Sequence, residues 1–249
     1  MTNVYRTAAM LLGAALWALA AEQGVMFRDD FNGQLQPGWQ WIDPMGDCDH
    51  SLDAHPGWLR ISIPESSRHD LYSGSHNFDA PRLVREVNGD FVIETKLSTS
   101  AARGEGGLLV WKDYRNNVRF ERGVHFPNEL FFAAHVNGAY MHRARDYVKG
   151  DPIWLRLERS GSTFRAFYSL DGAEWHLMAR TYSIASTPPE RMVTTDEGME
   201  SLKETDLTFQ PVTGSVEMTV PGPLQVGLSV ITKGPARSID YDYFEIRRK

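Results

Sequence analysis

The stretch Ile153–Trp175, IWLRLERSGSTFRAFYSLDGAEW, decides the fold. In its first run Trp154, Leu155 and Leu157 carry the apolar weight, while Arg156, Glu158 and Arg159 carry the charge. Ser160-Gly161-Ser162 interrupts it. In the second run, Thr163–Leu170, Phe164, Ala166 and Tyr168 alternate with Arg165, Phe167 and Ser169, and Asp171-Gly172 and Trp175 follow. Apolar residues at every second position, broken by Ser-Gly and then Asp-Gly, specify consecutive antiparallel strands joined by turns. Helical spacing fits neither run.

The same pattern extends outward. Leu83–Val87 and Asp90–Leu97 flank Asn88-Gly89, a hairpin signal. Leu108–Asp113 and Asn117–Arg122 predict another hairpin around Arg115. Pairing Asp113 with Asn117 there sets Trp111 opposite Arg119 and Leu109 opposite Glu121, and sends Val110, Val118 and Phe120 to the core. Phe27–Phe31, Trp58–Ile63, Leu130–Val136, Val216–Val220, Leu224–Ile231 and Ile239–Arg247 add further strands. The expected fold is all-β: one two-sheet antiparallel β-sandwich of jelly-roll type from about residue 25 to the end. Trp154, Leu157, Phe164, Phe91, Ile93, Phe244 and Ile246 are its expected buried residues. A loop insertion is expected near 187–215, where Pro188-Pro189 precedes TTDEGMESLKETD.

Of the 249 residues 42% are apolar and 11% aromatic, enough for a substantial core. The net charge of −6 carries no nucleic-acid footprint. Ala8–Leu19 is apolar and ends on Ala18-Leu19-Ala20, so residues 1–20 read as a secretory signal peptide and 21–249 as a secreted or periplasmic domain. That run is too short to span a bilayer, and no integral membrane segment is expected in the mature chain. Cys48 is the sole cysteine, which precludes an intrachain disulfide. Its neighbours Asp47 and Asp49 should raise its pKa, which disfavours a catalytic thiolate.

The motif W-L-R-L-E-R-x-G-x-x-F-x-x-x-Y-S-x-D-G-x-x-W, beginning at Trp154, resembles the concanavalin A-like lectin/glucanase superfamily. The branch it most resembles is a bacterial domain family of undefined function, similar also to the C-terminal module of some β-xylosidases. Phe27–Gly33 (FRDDFNG), Pro56–Ile61 (PGWLRI), Ala80–Leu97 (APRLVREVNGDFVIETKL), Gly106–Asp113 (GGLLVWKD) and Asp240–Ile246 (DYDYFEI) extend the likeness in order. It implies a jelly roll and a carbohydrate partner.

An aromatic ring, a guanidinium and carboxylates on one sheet face suit a sugar, whose ring stacks while charged groups take its hydroxyls. Trp111, Asp113, Arg119, Glu121 and His135 are the candidate carbohydrate-binding residues, rimmed by the polar 66–81 connection, with Trp111 as stacking platform. A solvated face with cross-strand ion pairs explains the same pattern. Hydrolases of this fold usually carry Glu-x-Asp-x-x-Glu on one strand, and no such motif occurs here. Glu121 and His135 are the remaining catalytic candidates. A lyase would draw a uronate-neutralising cation and a base from Arg119, Arg122, His125, His135 and Tyr140. Two functions therefore stand: an exported carbohydrate-recognition module, or a glycoside hydrolase or polysaccharide lyase with a non-standard catalytic constellation.

Two metal readings complete the inventory. The loop Asp43–Pro56 gathers Asp43, Asp47, Asp49, His50, Asp53 and His55, which could ligate a divalent ion but match no recognised ligand spacing and equally suit a solvated turn. In relatives of the fold a carboxylate near the end of the closing strand holds Ca²⁺, so the resemblance implies a structural calcium at Asp242 with Asp30, completed by carbonyls and water. Solvated edge-strand charges are the alternative for the same residues.

Overall fold

The computed structural model describes residues 24–65, 68–99, 104–184 and 204–249. The expected signal peptide and residues 187–203 of the expected insertion lie outside them. The strands run β1 (Val25–Asp29), β2 (Gln40–Ile42), β3 (Asp49–Ser51), β4 (Leu59–Ile63), β5 (Arg82–Val87), β6 (Phe91–Ser98), β7 (Glu105–Asp113), β8 (Asn116–Arg122) and β9 (Glu129–Val136). They continue with β10 (Ala139–Tyr147), β11 (Ile153–Ser160), β12 (Thr163–Ser169), β13 (His176–Leu177), β14 (Arg180–Ile184), β15 (Leu207–Pro211), β16 (Ser215–Glu217), β17 (Leu224–Ile231) and β18 (Arg237–Arg248).

Two antiparallel sheets face each other. One orders its strands β13-β12-β11-β6-β18-β4-β3, with β1 also on β18 and β16 on β12; the other is β10-β9-β8-β7-β17-β5-β2. Phe91, Ile93, Leu155, Leu157, Phe164, Phe244 and Ile246 of the first meet Leu108, Val110, Val118, Phe120, Phe132 and Leu228 of the second in one continuous core. This is the expected two-sheet β-sandwich. The β11–β12 hairpin closes through Gly161-Ser162, with Ser160 opposite Thr163.

Three local expectations are corrected. Trp154 is only half-buried, because Ile153, Leu155 and Leu157 take the inward positions of β11. Its ring lies on the outer face, with Lys96 Nζ 5.1 Å from the centroid. Asn88-Gly89 does turn the chain, with Gly89 at φ 77°, but β5 and β6 belong to opposite sheets. A positive-φ turn serves a sandwich corner as well as a hairpin. The last part of the expected insertion is strand, not loop: β15 pairs with β14 as a separate ribbon, whose Tyr182 and Leu207 pack on Tyr147. Among the described residues no helix is long and apolar enough to cross a membrane.

Close backbone approach explains one glycine. A Cβ on Gly227, in β17, would fall 1.9 Å from the Leu83 carbonyl oxygen of β5. Rigid backbone cannot yield as a side-chain tip would. Gly227→Ala should therefore cost at least the upper part of the roughly 1–3 kcal/mol seen for overpacking. A urea midpoint within error of wild type would disprove this.

Candidate functional site

The outer face of the seven-stranded sheet is not open. The segment 68–81 crosses it and buries Leu71 and Ala80 against Val84, Leu109, Trp111, Val124, Phe131, Ala133 and Ile231. The cover is fastened by backbone. His69 N donates to Thr232 O at 3.1 Å, and Thr232 N returns a bond to His69 O at 2.8 Å. Asn77 organises its turn: Oδ1 accepts from Asp70 N and Asp79 N, and Nδ2 donates to Arg68 O.

Trp111, Arg119, Glu121 and His135 do share this face, opposite Val110, Val118 and Phe120. Their register is two residues off the expected one. Trp111 lies opposite Asn117, Leu109 opposite Arg119 and Gly107 opposite Glu121, because a bulge between Trp111 and Asp113 absorbs the turn. A shift of two preserves the face.

The cover changes what these residues can do. Trp111 is 9% exposed, with Phe78 6.3 Å from it between ring centroids and the Arg82 guanidinium 4.7 Å over its ring. It offers no bare platform, so its expected stacking role is withdrawn. His135 is wholly buried: Ser73 N donates to its Nε2 at 3.3 Å, and its Nδ1 lies 3.2 Å from Asn117 Oδ1. Burial and nearby Arg119 push its pKa down to about 4, so it is a neutral anchor for the cover and not a base open to substrate. Asp113 sits in the β7–β8 turn, where its carboxylate accepts from Arg115 N at 2.8 Å. Arg122 is also buried, donating to Val148 O and Gly150 O, each at 2.8 Å, which removes it from any lyase set.

Beside the cover a cavity of about 540 Å³ opens. Arg119 forms part of its lining, with Arg68, Arg145 and Lys233 as further cations and Asp70 as the only carboxylate among the described lining residues. Tyr72, Phe131, Tyr140 and His142 supply ring surfaces. Phe131 and His142 stack at 4.8 Å with an 8° interplanar angle. Arg119 comes from β8, Tyr140 and Arg145 from β10, and Lys233 from the chain just beyond β17.

Buried carboxylates stand behind this wall. Glu121 is fully buried, its Oε1 3.3 Å from Arg119 Nη1. Burial pushes its pKa up and Arg119 only partly offsets this. Glu121 thus positions Arg119 and does not line the cavity, contrary to its expected catalytic place. Arg119 Nε and Glu121 Oε2 have no partner although buried. Glu129 is held by Arg145 Nε at 2.5 Å, Tyr182 OH at 2.9 Å and His125 Nδ1 at 2.7 Å. Burial alone would raise its pKa, but His125 and Arg145 outweigh burial and hold it low. Tyr140 is pushed up to about 12, chiefly by burial, and so stays a phenol. Sequence reasoning missed Arg68, Lys233, Tyr72 and Arg145 as a group, since they converge from three separate segments.

The implied calcium residues are engaged elsewhere. Asp242 Oδ2 accepts from Lys96 Nζ at 2.7 Å, and Asp30 Oδ1 accepts from Arg28 Nε at 2.8 Å. β1 does pair with β18, but a register shift between Tyr241 and Tyr243 breaks the alternation on which Asp242's placement rested. Tyr241 and Phe244, three apart, both reach the core. A cation at Asp242 would have to displace an ammonium already in place.

The comparisons agree with this architecture. The beta xylosidase C-terminal concanavalin A-like domain family matches residues 28–193. No curated protein sequence matches significantly. Among solved structures, the GH43 BlXynB protein from Bacillus licheniformis superposes with a TM-score of 0.60 at 18% identity, covering 89% of this chain and 39% of that one. The xylan beta-1,4-xylosidase of Bacillus halodurans C-125 gives 0.55 at 18% identity, with the same coverage. A functionally unknown protein from Saccharomyces cerevisiae gives 0.51 at 13% identity, covering 85% of this chain and 97% of that one. At these identities the likeness concerns fold, and the chain spans about two fifths of the xylosidases' length. With the family matched over two thirds of the chain on a two-sheet sandwich, the protein belongs to the beta xylosidase C-terminal concanavalin A-like domain family.

Proposed function

We propose that the protein is an exported carbohydrate-recognition module whose site is the cavity beside the 68–81 cover, and that its ligand is an oligosaccharide bearing carboxylates. The carrying observation is the wall of Arg68, Arg119, Arg145 and Lys233 set against Asp70, the one carboxylate among the described lining residues. Low-dielectric walls strengthen such a field and favour anionic groups. Tyr72, Tyr140 and the Phe131–His142 pair provide faces for pyranose rings. Glycosidase chemistry calls for two carboxylates flanking the scissile bond. Among the described residues one carboxylate, Asp70, lines this cavity, which favours recognition over the hydrolase alternative.

Calorimetric titration with oligogalacturonate and with xylo-oligosaccharide is the test. The acidic ligand should bind and the neutral one should not, with affinity falling as salt rises. Arg68→Ala and Lys233→Ala, both at exposed positions, should each weaken binding roughly tenfold, the scale of one lost charge-assisted hydrogen bond. Equal binding of both ligands, or of neither, would reject the reading. Unsaturated products after long incubation would instead make the cavity a lyase site.

A further inference from the structure

Away from that cavity, on the far side of His69, three side chains of different chemistry converge. We propose that Asp47, Cys48 and His69 form a tetrahedral zinc-class metal site with one open position. The ligand atoms of all three lie within 4.8 Å of one another. Asp47 Oδ1 is 3.1 Å from His69 Nε2 and 3.5 Å from Cys48 Sγ, and Sγ is 3.6 Å from Nε2. Bond lengths of about 2.3 Å to sulfur and 2.0–2.1 Å to nitrogen and oxygen place tetrahedral ligands about 3.3–3.6 Å apart. The observed triangle has nearly the dimensions of one face of such a site.

The histidine is presented as a metal ligand usually is. It is wholly buried, and its Nδ1 lies 2.9 Å from Asp79 O. A carbonyl only accepts, so Nδ1 donates to it, which leaves Nε2, the nitrogen facing Asp47 and Cys48, as the one to coordinate. An outer hydrogen bond of this kind fixes the tautomer and orients the ring. The backbone of His69 is pinned to Thr232, so the ring belongs to a rigid part of the cover. On the other side Asp43 shapes the loop, its Oδ1 accepting from Gly46 N and its Oδ2 from Cys48 N. One adjustment is required. Sγ also lies 3.9 Å from Nδ1, nearly as near as to Nε2, so metal binding swings it about χ1 toward the Nε2 lone-pair direction.

Thiolate, imidazole and carboxylate together suit Zn²⁺ and Co²⁺ better than the oxygen-seeking Ca²⁺ or Mg²⁺. On binding, the Cys48 thiol releases its proton to solvent and forms the sulfur–metal bond, and water fills the fourth position. The ion would tie the β2–β3 loop to the cover between Arg68 and Asp70, both of which line the cavity. Neither this site nor its test depends on the saccharide reading.

Co²⁺ titration of the full chain under reducing conditions is the experiment. One equivalent should give a thiolate-to-cobalt charge-transfer band with intense tetrahedral d–d bands, all bleached by Zn²⁺. Cys48→Ser should abolish the charge-transfer band. Asp47→Asn, at an exposed position, should lower Zn²⁺ affinity by at least the roughly 10–100-fold that outer-sphere partners command. Zn²⁺ should raise the melting temperature of wild type but not of Cys48→Ser. A wild-type spectrum with no charge-transfer band, or a band that survives Cys48→Ser, would overturn the site.

Discussion

Glu129→Ala is expected to lower the unfolding free energy by about 3–5 kcal/mol, the cost of breaking a buried ion pair from one side. The carboxylate has no exposure and meets four donors: Arg145 Nε, Tyr182 OH, His125 Nδ1 and the His125 backbone N–H. Truncation strands a partly buried guanidinium and leaves the backbone N–H and the phenol without their acceptor. It also cuts a tie between sheets, since Tyr182 belongs to the β14–β15 ribbon and Glu129 to the main sandwich. A urea midpoint shifted at unchanged m-value is the measurement. Glu129→Gln keeps the shape and should recover part of the loss. Its pH behaviour gives a second readout. Because the folded carboxyl sits below its ordinary value, it stabilises above the ordinary carboxylate range and this is lost as pH falls. The acid limb should be shallower in Glu129→Gln. A loss below about 1 kcal/mol in the alanine variant would show the network to be ornamental.

Faces were legible in the sequence and partners were not. Period-two alternation placed Phe91, Ile93, Leu157, Phe164, Phe244 and Ile246 in the core, because side-chain direction follows from strand geometry alone. Register depends on turns and bulges instead. The extra residue between Trp111 and Asp113 moved the β7–β8 pairing by two, and the irregularity between Tyr241 and Tyr243 turned Asp242 off its expected row. Trp154 misled by size. The largest apolar side chain of its run faces out, where Lys96 covers its ring.

The site shows the same division. Arg119, Glu121 and His135 were correctly placed on one face, but exposure is decided by what lies above a sheet. The 68–81 segment carries Leu71, Phe78 and Ala80 among polar residues, too few for a periodic signal, yet these seal the face. Cavity residues from β8, β10 and two separate loops have no common spacing. Cys48 and His69, 21 residues apart, resemble no metal motif and meet only because the cover crosses back over the β2–β3 loop.

Glu105 by itself should withdraw about 3 kcal/mol of stability as pH rises from about 4.5 to about 7. Glu105, near the rim of the same sheet, is 7% exposed. Arg237 Nε donates to its Oε1 at 3.4 Å, while its Oε2 is buried without a partner. Burial pushes its pKa up to about 7, Arg237 and Lys233 offset this only partly, and Glu121 adds to it. Between the unfolded and folded values the folded carboxyl holds a proton that the unfolded chain has released. The folded state therefore binds more protons, and stability falls with rising pH. A shift from 4.5 to about 7, at about 1.4 kcal/mol per unit, sets the magnitude. Glu121 is displaced in the same direction and steepens the limb. Glu129 and Asp240, held low by their cationic partners, act oppositely, and so does His135, whose proton the unfolded chain keeps from about 4 up to about 6.5, so the Glu105 part is read from the difference between variant and wild type. Glu105→Gln removes the proton uptake without removing the shape. It should match wild type near pH 5 and exceed it near pH 8 by about 3 kcal/mol, the part of the alkaline limb due to Glu105. Melting temperatures of both proteins across this range decide the matter. If the two curves run parallel throughout, Glu105 does not carry this shift.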